Sequence, residues 1–389
     1  MATPNGDGQQ FQRALTPYET WVRSQGIPIV RGHGVTDLAE PEFGRWDRLG
    51  CDAYFILLEG MTGFTGMYVA QIDPGAATNQ QRHLYEKTIY VLQGSGITTL
   101  EDPRGKTHQF EWQEGSLFAI PLNTPYRLFA SGSRVRYVAV TTAPVIIDLF
   151  HNDEFIHNCP FSFTDRFNGE PDFWSKDVRY EGSGNTLLGQ FSRRGWETNF
   201  VPDARSVLPD KVDPEKKSLR FIQYELTGNS LITHESKYPS GSYMRAHYHS
   251  GGAILLILRS EGYSMMWDKE LGDRPFESGH GGDVVKIDWK PGSVFSPPTG
   301  WFHQHFNVGA EDALQLAFRY GSRRFPFGIW HAVGARDVDG EVGTMRMRGD
   351  GGAVIDYSQE DPHIRQLFNE RLRQNGIHAW TGSPALSGR

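Results

Sequence analysis

Two histidine-bearing stretches in the second half of the chain constrain its fold most. The first runs from Gly241 to Gly262 and contains the pair His247-x-His249, and the second runs from Gly292 to Asn307 and contains His303. Residues two apart in a strand face the same side, so His247 and His249 are predicted to project together. Two imidazoles on one strand and a third on a paired strand can converge on one cation. The alternative, ordinary histidines lining a half-buried sheet, stays open at this point.

The spacing of these stretches matches a known pair of motifs. Five residues separate Gly241 from the His-x-His pair. The second stretch carries frame residues at fixed spacing, namely Gly292, Pro298, Gly300, His303 and Asn307. This pattern resembles the two motifs of the cupin superfamily. The resemblance implies an antiparallel β-barrel of jelly-roll type, with a metal held at its centre by His247, His249 and His303.

One position departs from the commoner cupin pattern, in which a glutamate ligand follows the second histidine by four or five residues. This chain has Ala253 and Ile254 there, which resembles the three-histidine variant. The run from Trp301 to Asn307 is similar to the second motif of the gentisate and hydroxynaphthoate ring-cleaving dioxygenases. That narrower resemblance implies a mononuclear Fe(II) enzyme, and hence an oxidoreductase of the dioxygenase type.

The charge of such a site restricts the substrate. Three neutral imidazoles leave the full 2+ charge on the cation, and octahedral Fe(II) would keep three open positions for substrate and O₂. We therefore expect a small anionic substrate, aromatic or not. Two alternatives stay open: a non-redox isomerase, lyase or hydrolase using zinc, manganese or nickel as a Lewis acid, and a non-enzymatic bicupin that binds a ligand.

Two side chains before the histidine pair are candidate substrate-binding residues. Tyr243 and Arg245 have the same parity as His247 and His249, so a regular strand would point all four inward. Arg245 could pair a substrate carboxylate bidentately, or serve as a structural arginine.

Three further residues are candidates on the second motif and the last strand. His305 has the parity of His303 and is predicted to be catalytic, as a proton donor or a partner that orients the ligands, with direct ligation and core packing as the alternatives. Gln315 and Arg319 share a parity and would reach a substrate if that parity is inward.

The first half of the chain repeats the same frame without the ligands. Gln81 replaces the first histidine, Tyr126 replaces the third, and only His83 remains. Lys87 stands where the commoner pattern has glutamate, and its ammonium would repel a cation. The sequence therefore predicts a first barrel without metal. The alternative is a residual site built from His83 and Glu86.

Composition bounds the remaining possibilities. The chain has 389 residues, enough for two domains, and 44 glycines with 22 prolines favour turn-rich β structure. A net charge of −7 argues against nucleic acid as a partner. The two cysteines form no disulfide framework, and no run is apolar enough to span a membrane. We expect a cytoplasmic protein.

The predicted fold class is all-β, with two tandem jelly-roll barrels and a few short helices, one near the C-terminus. The predicted parts are an N-terminal arm (1–50), a metal-free barrel (51–149), an aromatic-rich connector (150–210), a metal-binding barrel (211–335) and a tail (336–389). Residues 241–249 are predicted as one strand, and 268–282 as a polar insertion, either a surface hairpin or a cover over the barrel mouth. The cap Asp361-Pro362 and the apolar spacing from Ile364 predict the tail helix. The helix stripe and the aromatic connector together suggest a homo-oligomer.

Overall fold

The computed structural model describes residues 14–61, 63–180, 195–207, 220–249, 252–322, 348 and 353–380. The strands of the first half are β1 (Ile29–Gly32), β2 (Gly34–Val35), β3 (Gly44–Trp46), β4 (Cys51–Leu58), β5 (Gly66–Ile72), β6 (Lys87–Gln93), β7 (Ser95–Glu101), β8 (Thr107–Gln113), β9 (Leu117–Ile120), β10 (Tyr126–Ala130) and β11 (Val135–Thr141). Those of the second half are β12 (Val178–Tyr180), β13 (Gly195–Thr198), β14 (Phe200–Val201), β15 (Arg220–Leu226), β16 (Leu231–Tyr238), β17 (Ile254–Arg259), β18 (Gly262–Asp268), β19 (Val285–Trp289), β20 (Val294–Phe295), β21 (Trp301–Asn307) and β22 (Ala313–Tyr320). The helices are α1 (Pro17–Ser24), α2 (Ala143–Phe150), α3 (Asp153–Asn158) and α4 (Pro362–Asn375).

These strands form two similar domains, each built from a large and a small sheet. The large sheet of the first domain has the order β1-β4-β5-β11-β6-β9-β14, with β3 also on β4, and its small sheet has the order β10-β7-β8. The second domain has a large sheet β12-β13-β15-β16-β22-β17-β20-β2 and a small sheet β19-β18-β21. The non-sequential strand orders are those of a jelly roll. The predicted fold class, two tandem all-β barrels with few helices, is confirmed.

Two short strands cross between the domains. The arm strand β2 pairs with β20 of the second domain, and β14 of the connector pairs with β9 of the first. Aromatic residues of the connector pack on the first domain: Phe167 and Phe173 are buried in its core, and Trp174 stacks on Phe110 with ring centroids 3.7 Å apart. The connector therefore wraps over the first domain. Residues 181–194 lie outside the described part.

The two large sheets pack face to face through a shared apolar cluster. Tyr54 and Val69 of the first domain belong to the same buried cluster as Leu256, Leu316 and Phe318 of the second. Because side chains alternate along a strand, the residues between these face the interior of their own domain. This fixes which residues can line the second barrel.

The tail covers the outer face of the second domain's small sheet. The Asp361 side chain accepts a hydrogen bond from the His363 backbone at the start of α4, and Gly376 ends the helix with φ +67°. Ile364, Phe368 and Leu372 are buried against that sheet. The predicted tail helix is confirmed. Its apolar stripe packs within the chain, so it no longer supports the homo-oligomer, which stays a prediction.

The structure refines three local features. Residues 241–249 form no continuous strand but only isolated bridges at Tyr243 and His247, which corrects the predicted strand. The 268–282 segment joins the antiparallel strands β18 and β19 and is mostly exposed, which fits the surface-hairpin alternative. The backbone N–H groups of Phe276 and Glu277 donate to Asp361, so the segment packs beside the start of α4. The helix α2 was missed because its Val-Ile-Ile run reads like the preceding strand.

Candidate metal centre

Three histidines converge inside the second domain. One ring nitrogen from each of His247, His249 and His303 can be chosen so that all three atoms lie within 4.8 Å of one another. The ring centroids of His247 and His249 lie 4.4 and 4.7 Å from that of His303. The backbones of His247 and His303 hydrogen-bond to each other in both directions, which fixes their relative position. Within the described ranges, this is the one cluster of potential metal ligands with three members.

In two of these rings the Nδ1 atom is turned towards a backbone carbonyl oxygen. His247 Nδ1 lies 3.0 Å from the carbonyl oxygen of Arg245, and His303 Nδ1 lies 3.1 Å from that of Trp301. A carbonyl can only accept, so Nδ1 carries the proton and Nε2 keeps its lone pair. Such outer contacts commonly orient metal-binding histidines. The donor set therefore fits a divalent cation.

Burial also favours the metal-binding form of His303. The burial of this ring, and then the neighbouring His247, His249 and His305, lower its pKa well below the usual value. The neutral imidazole, which is the form that ligates metals, is thus the stable one inside the barrel.

An extra residue in the chain before the histidine pair changes which way the side chains point. Tyr243 pairs with Phe306, whereas His247 pairs with His303. Between these two pairs, three residues on one side therefore oppose two on the other, which is a β-bulge. As a result Met244 faces the interior cluster, while Tyr243 lies on the opposite, outer face.

The bulge corrects the predicted inward direction of Tyr243 and Arg245. The Tyr243 hydroxyl donates to the Glu360 carboxylate of the tail. The Arg245 guanidinium lies 3.2 Å from the Asp356 carboxylate and 5.0 Å above the ring of Tyr357. Both side chains contact the tail, and the structure does not bring them into the histidine cluster.

His305 lies inside the barrel and has a different hydrogen-bond arrangement. Its Nδ1 is 2.9 Å from the hydroxyl of Ser264, and that hydroxyl accepts from the indole N–H of Trp289 at 3.1 Å. The Ser264 hydroxyl has one proton and a second lone pair, so it can either donate to His305 Nδ1 or accept from it. When Ser264 donates, Nε2 of His305 carries the proton and is a hydrogen-bond donor. Its ring centroid lies 5.7 Å from that of His303.

On the last strand, β22, the side chains with the parity of Gln315 and Arg319 point into the barrel. The sequence alone left this direction undecided. Gln315 pairs across the sheet with Ile257, whose side chain belongs to the interior cluster, and Arg319 has the same parity. Both are buried. The structure therefore places both predicted substrate-binding residues on the inner face of the large sheet.

Arg319 is also level with the position that would carry the glutamate of the commoner cupin pattern. Ile254 pairs with Phe318, so the preceding Ala253 and the following Arg319 lie at one level of the barrel. A guanidinium thus lies on the neighbouring strand at the level where a carboxylate ligand is missing.

Sequence reasoning missed three inward polar residues on the first strands of this domain. His234 pairs with Ala317 on the inner face, and Gln223 pairs with His234. Gln223 Nε2 donates to the buried carboxylate of Glu225 at 3.2 Å. The signal was the alternation of polar residues from Gln223 to Glu225, which only the strand pairing identifies as inward.

The corresponding place in the first domain is filled by side chains that satisfy one another. Gln81 pairs with Tyr126 in an isolated bridge, as His247 does with His303. His83 Nε2 lies 3.3 Å from the Tyr126 hydroxyl, to which the Lys87 ammonium also donates. Burial lowers the pKa of Lys87 to about 7.

Glu86 points away from that interior. Its carboxylate accepts hydrogen bonds from the backbone N–H groups of Ser230 and Leu231, in the second domain, at 2.9 and 2.7 Å. The alternative of a residual metal site built from His83 and Glu86 is therefore wrong.

Comparisons with known proteins show a likeness to solved structures only. No family model matches the chain, and no curated protein matches it. A structure of Bacillus subtilis oxalate decarboxylase is 13% identical with a TM-score of 0.45, over 75% of this chain and 78% of that chain. Lactobacillus farciminis oxalate decarboxylase in complex with formate is 11% identical with a TM-score of 0.46, over 73% and 85%. A further Bacillus subtilis structure, which concerns the Mn(II) centres of that enzyme, gives 13% and 0.45 over 75% and 78%.

These proteins are decarboxylases rather than dioxygenases. The prediction that this chain is an oxidoreductase of the dioxygenase type is corrected accordingly, and the narrower resemblance to gentisate and hydroxynaphthoate dioxygenases is not supported. Identities of 11–13% and TM-scores below 0.5 assign no substrate to this chain. No helix within the described ranges is long and apolar enough to cross a membrane.

Proposed function

We propose that the second domain binds one divalent cation through His247, His249 and His303, and that the protein is a non-redox, metal-dependent lyase acting on a small carboxylate. The observation that carries the proposal is the convergence of these three ring nitrogens within 4.8 Å. Isomerase and hydrolase chemistry use the same kind of site, and the experiment below separates all three from redox turnover.

The donor set limits the metal. Three neutral imidazoles suit zinc, nickel or iron better than manganese, which prefers oxygen ligands. Iron was the metal expected from the sequence, and zinc or nickel fits the non-redox chemistry now proposed. When bound, such a cation acts as a Lewis acid and stabilises negative charge that develops on the substrate.

Residues of the inner face would bind the anionic part of the substrate. Arg319 supplies a planar guanidinium that can hold a carboxylate through two hydrogen bonds. Gln315 is 2% exposed, and its Nε2 has no hydrogen-bond partner among the described residues. Burying a donor without a partner costs free energy, so a ligand oxygen there would stabilise the complex. His305 would donate from Nε2 and orient the bound anion, in the role predicted as catalytic.

The test is a screen of small carboxylates with the zinc-, nickel-, manganese- and iron-loaded protein, in air and under nitrogen. We expect turnover with a redox-inert metal that is the same under both atmospheres. His303→Ala should abolish it, and His280→Ala, which alters a half-exposed histidine outside the cluster, should leave it unchanged. Turnover that needs iron and consumes O₂ would contradict the proposal.

A further inference from the structure

The first domain touches the second domain beside the metal ligands. The contact is made by the loop between β4 and β5, at its two ends, Gly60 and Thr65. The partner is Gly252, which lies three residues after His249 and directly precedes Ala253.

Both backbone polar groups of Gly252 bond to this loop. The Gly252 N–H donates to the carbonyl oxygen of Gly60 at 2.8 Å. The hydroxyl of Thr65, which is 1% exposed, donates to the carbonyl oxygen of Gly252 at 3.0 Å. Buried backbone groups need such partners, so the first domain fixes the position of this glycine.

The same loop also contacts the segment that leads to the third ligand. A Cβ added to Gly60 would lie 2.3 Å from the carbonyl oxygen of Ser296 and 2.4 Å from that of Pro297, a few residues before His303. The Ser296 hydroxyl in turn donates to the carbonyl oxygen of Ala253 at 2.6 Å. One loop of the first domain therefore contacts both Gly252 and the Ser296-Pro297 pair, and Ser296 in turn holds Ala253.

We infer that the metal-free first domain positions the metal ligands of the second, and that Thr65 is a positioning residue for the cation site. This inference rests on the proposed metal site. Removing the Thr65 hydroxyl leaves a buried carbonyl without its donor, and the segment must shift to find another one. A shift there moves His249 relative to His247 and His303. Loss of a direct hydrogen-bond partner of a metal ligand weakens metal binding about 10- to 100-fold, and Thr65, which acts through Gly252, should have an effect at the lower end of that range.

Three variants test the inference. Thr65→Val keeps the shape and removes the donor, and Thr65→Ser keeps the donor. Tyr54→Phe removes another buried hydroxyl of the domain interface, one that donates to the carbonyl oxygen of Leu38 at 2.8 Å, away from Gly252. The measurements are the Kd for Zn²⁺ by competition with a chelator, and the absorption spectrum of the Co²⁺-loaded protein.

We expect Thr65→Val to raise the Kd about tenfold or more and to change the Co²⁺ spectrum. Thr65→Ser and Tyr54→Phe should match the parent in both. Should Thr65→Val fail to fold, Thr65→Ala, which cannot overpack the loop, is measured instead. A parent protein that binds neither cation would contradict the proposed site itself. If the parent binds the cation and a folded variant without the Thr65 hydroxyl has the same Kd, this inference alone is overturned.

Discussion

The two domains share a frame and differ in what fills it. The bridge between Gln81 and Tyr126 in the first domain matches the bridge between His247 and His303 in the second. In the first, a lysine, a tyrosine hydroxyl and a histidine satisfy one another. In the second, imidazoles converge. The difference teaches that internal hydrogen bonds can satisfy, in one domain, interior positions that carry converging imidazoles in the other.

Lys87 shows how the first domain does so. Its ammonium lies 5.2 to 5.7 Å from the ring centroids of three tyrosines, Tyr68, Tyr85 and Tyr126. Aromatic faces attract a cation, while burial opposes the charge. The matching residue in the second domain is Ala253, six residues after His247 as Lys87 is after Gln81. At this level of the barrel the second domain therefore has only the small side chain of Ala253, with Arg319 beside it on the neighbouring strand.

The largest expected effect comes from rebuilding the missing ligands. The triple variant Gln81→His, Lys87→Ala and Tyr126→His removes the internal cation and restores three histidines with His83. We expect bound zinc to rise from one to two per chain, measured by elemental analysis after gel filtration. Lys87→Ala alone should leave it at one. A triple variant that is folded and still holds one zinc would show that the two frames are not equivalent.

A carboxylate at the open level should alter the second site without removing its metal. Ala253→Glu should retain or tighten zinc, because a fourth protein ligand adds charge opposite to the cation. Turnover should fall at least tenfold, since the new carboxylate occupies a coordination position and competes with the substrate for Arg319. The metal-free variant should lose about 1–3 kcal/mol of unfolding free energy, as overpacked cores do. Unchanged turnover and unchanged metal affinity would show that position 253 does not face the cation.

The smallest expected effect is a change in the pH dependence of stability. Lys87 has a pKa of about 7 in the folded protein against an ordinary 10.5. Between these values the unfolded chain binds one proton more, so stability should rise with pH, by up to about 1.4 kcal/mol per pH unit. Below pH 7 the folded and the unfolded state both carry the proton, so Lys87 adds no slope to the pH dependence of stability.

Lys87→Met should remove that rise, measured by urea unfolding between pH 7.5 and 9.5. Lys106→Met, which changes an exposed lysine, serves as the control and should keep the slope of the parent. If Lys87→Met shows the parent's slope, the buried ammonium does not determine it.

Features marked by residue type could be predicted from the sequence. The glycine and proline frames located both domains, and the substitutions at Gln81 and Tyr126 identified the one without ligands. The cap at Asp361 located the tail helix. These signals are local, because a turn, a cap or a ligand needs a particular side chain at a particular position.

Features that depend on the register between paired strands could not be predicted from the sequence. The bulge between Tyr243 and His247 adds one residue with no glycine or proline to mark it, and it reverses the parity on which the directions of Tyr243 and Arg245 were predicted. The strands β2 and β14, which cross between the domains, are two residues long. Two residues are too few to show the alternation by which a strand is predicted. The inward direction of Gln315 and Arg319 can be assigned only once it is known how the two large sheets pack against each other.

The number of metal ions per chain tests the central claim most directly. Protein reconstituted with zinc and freed of excess metal should hold one ion per chain, His247→Ala should lose it, and His83→Ala should retain it. Such a result would place the cation in the second domain alone. Two ions per chain, or one ion that survives His247→Ala and is lost in His83→Ala, would contradict the account.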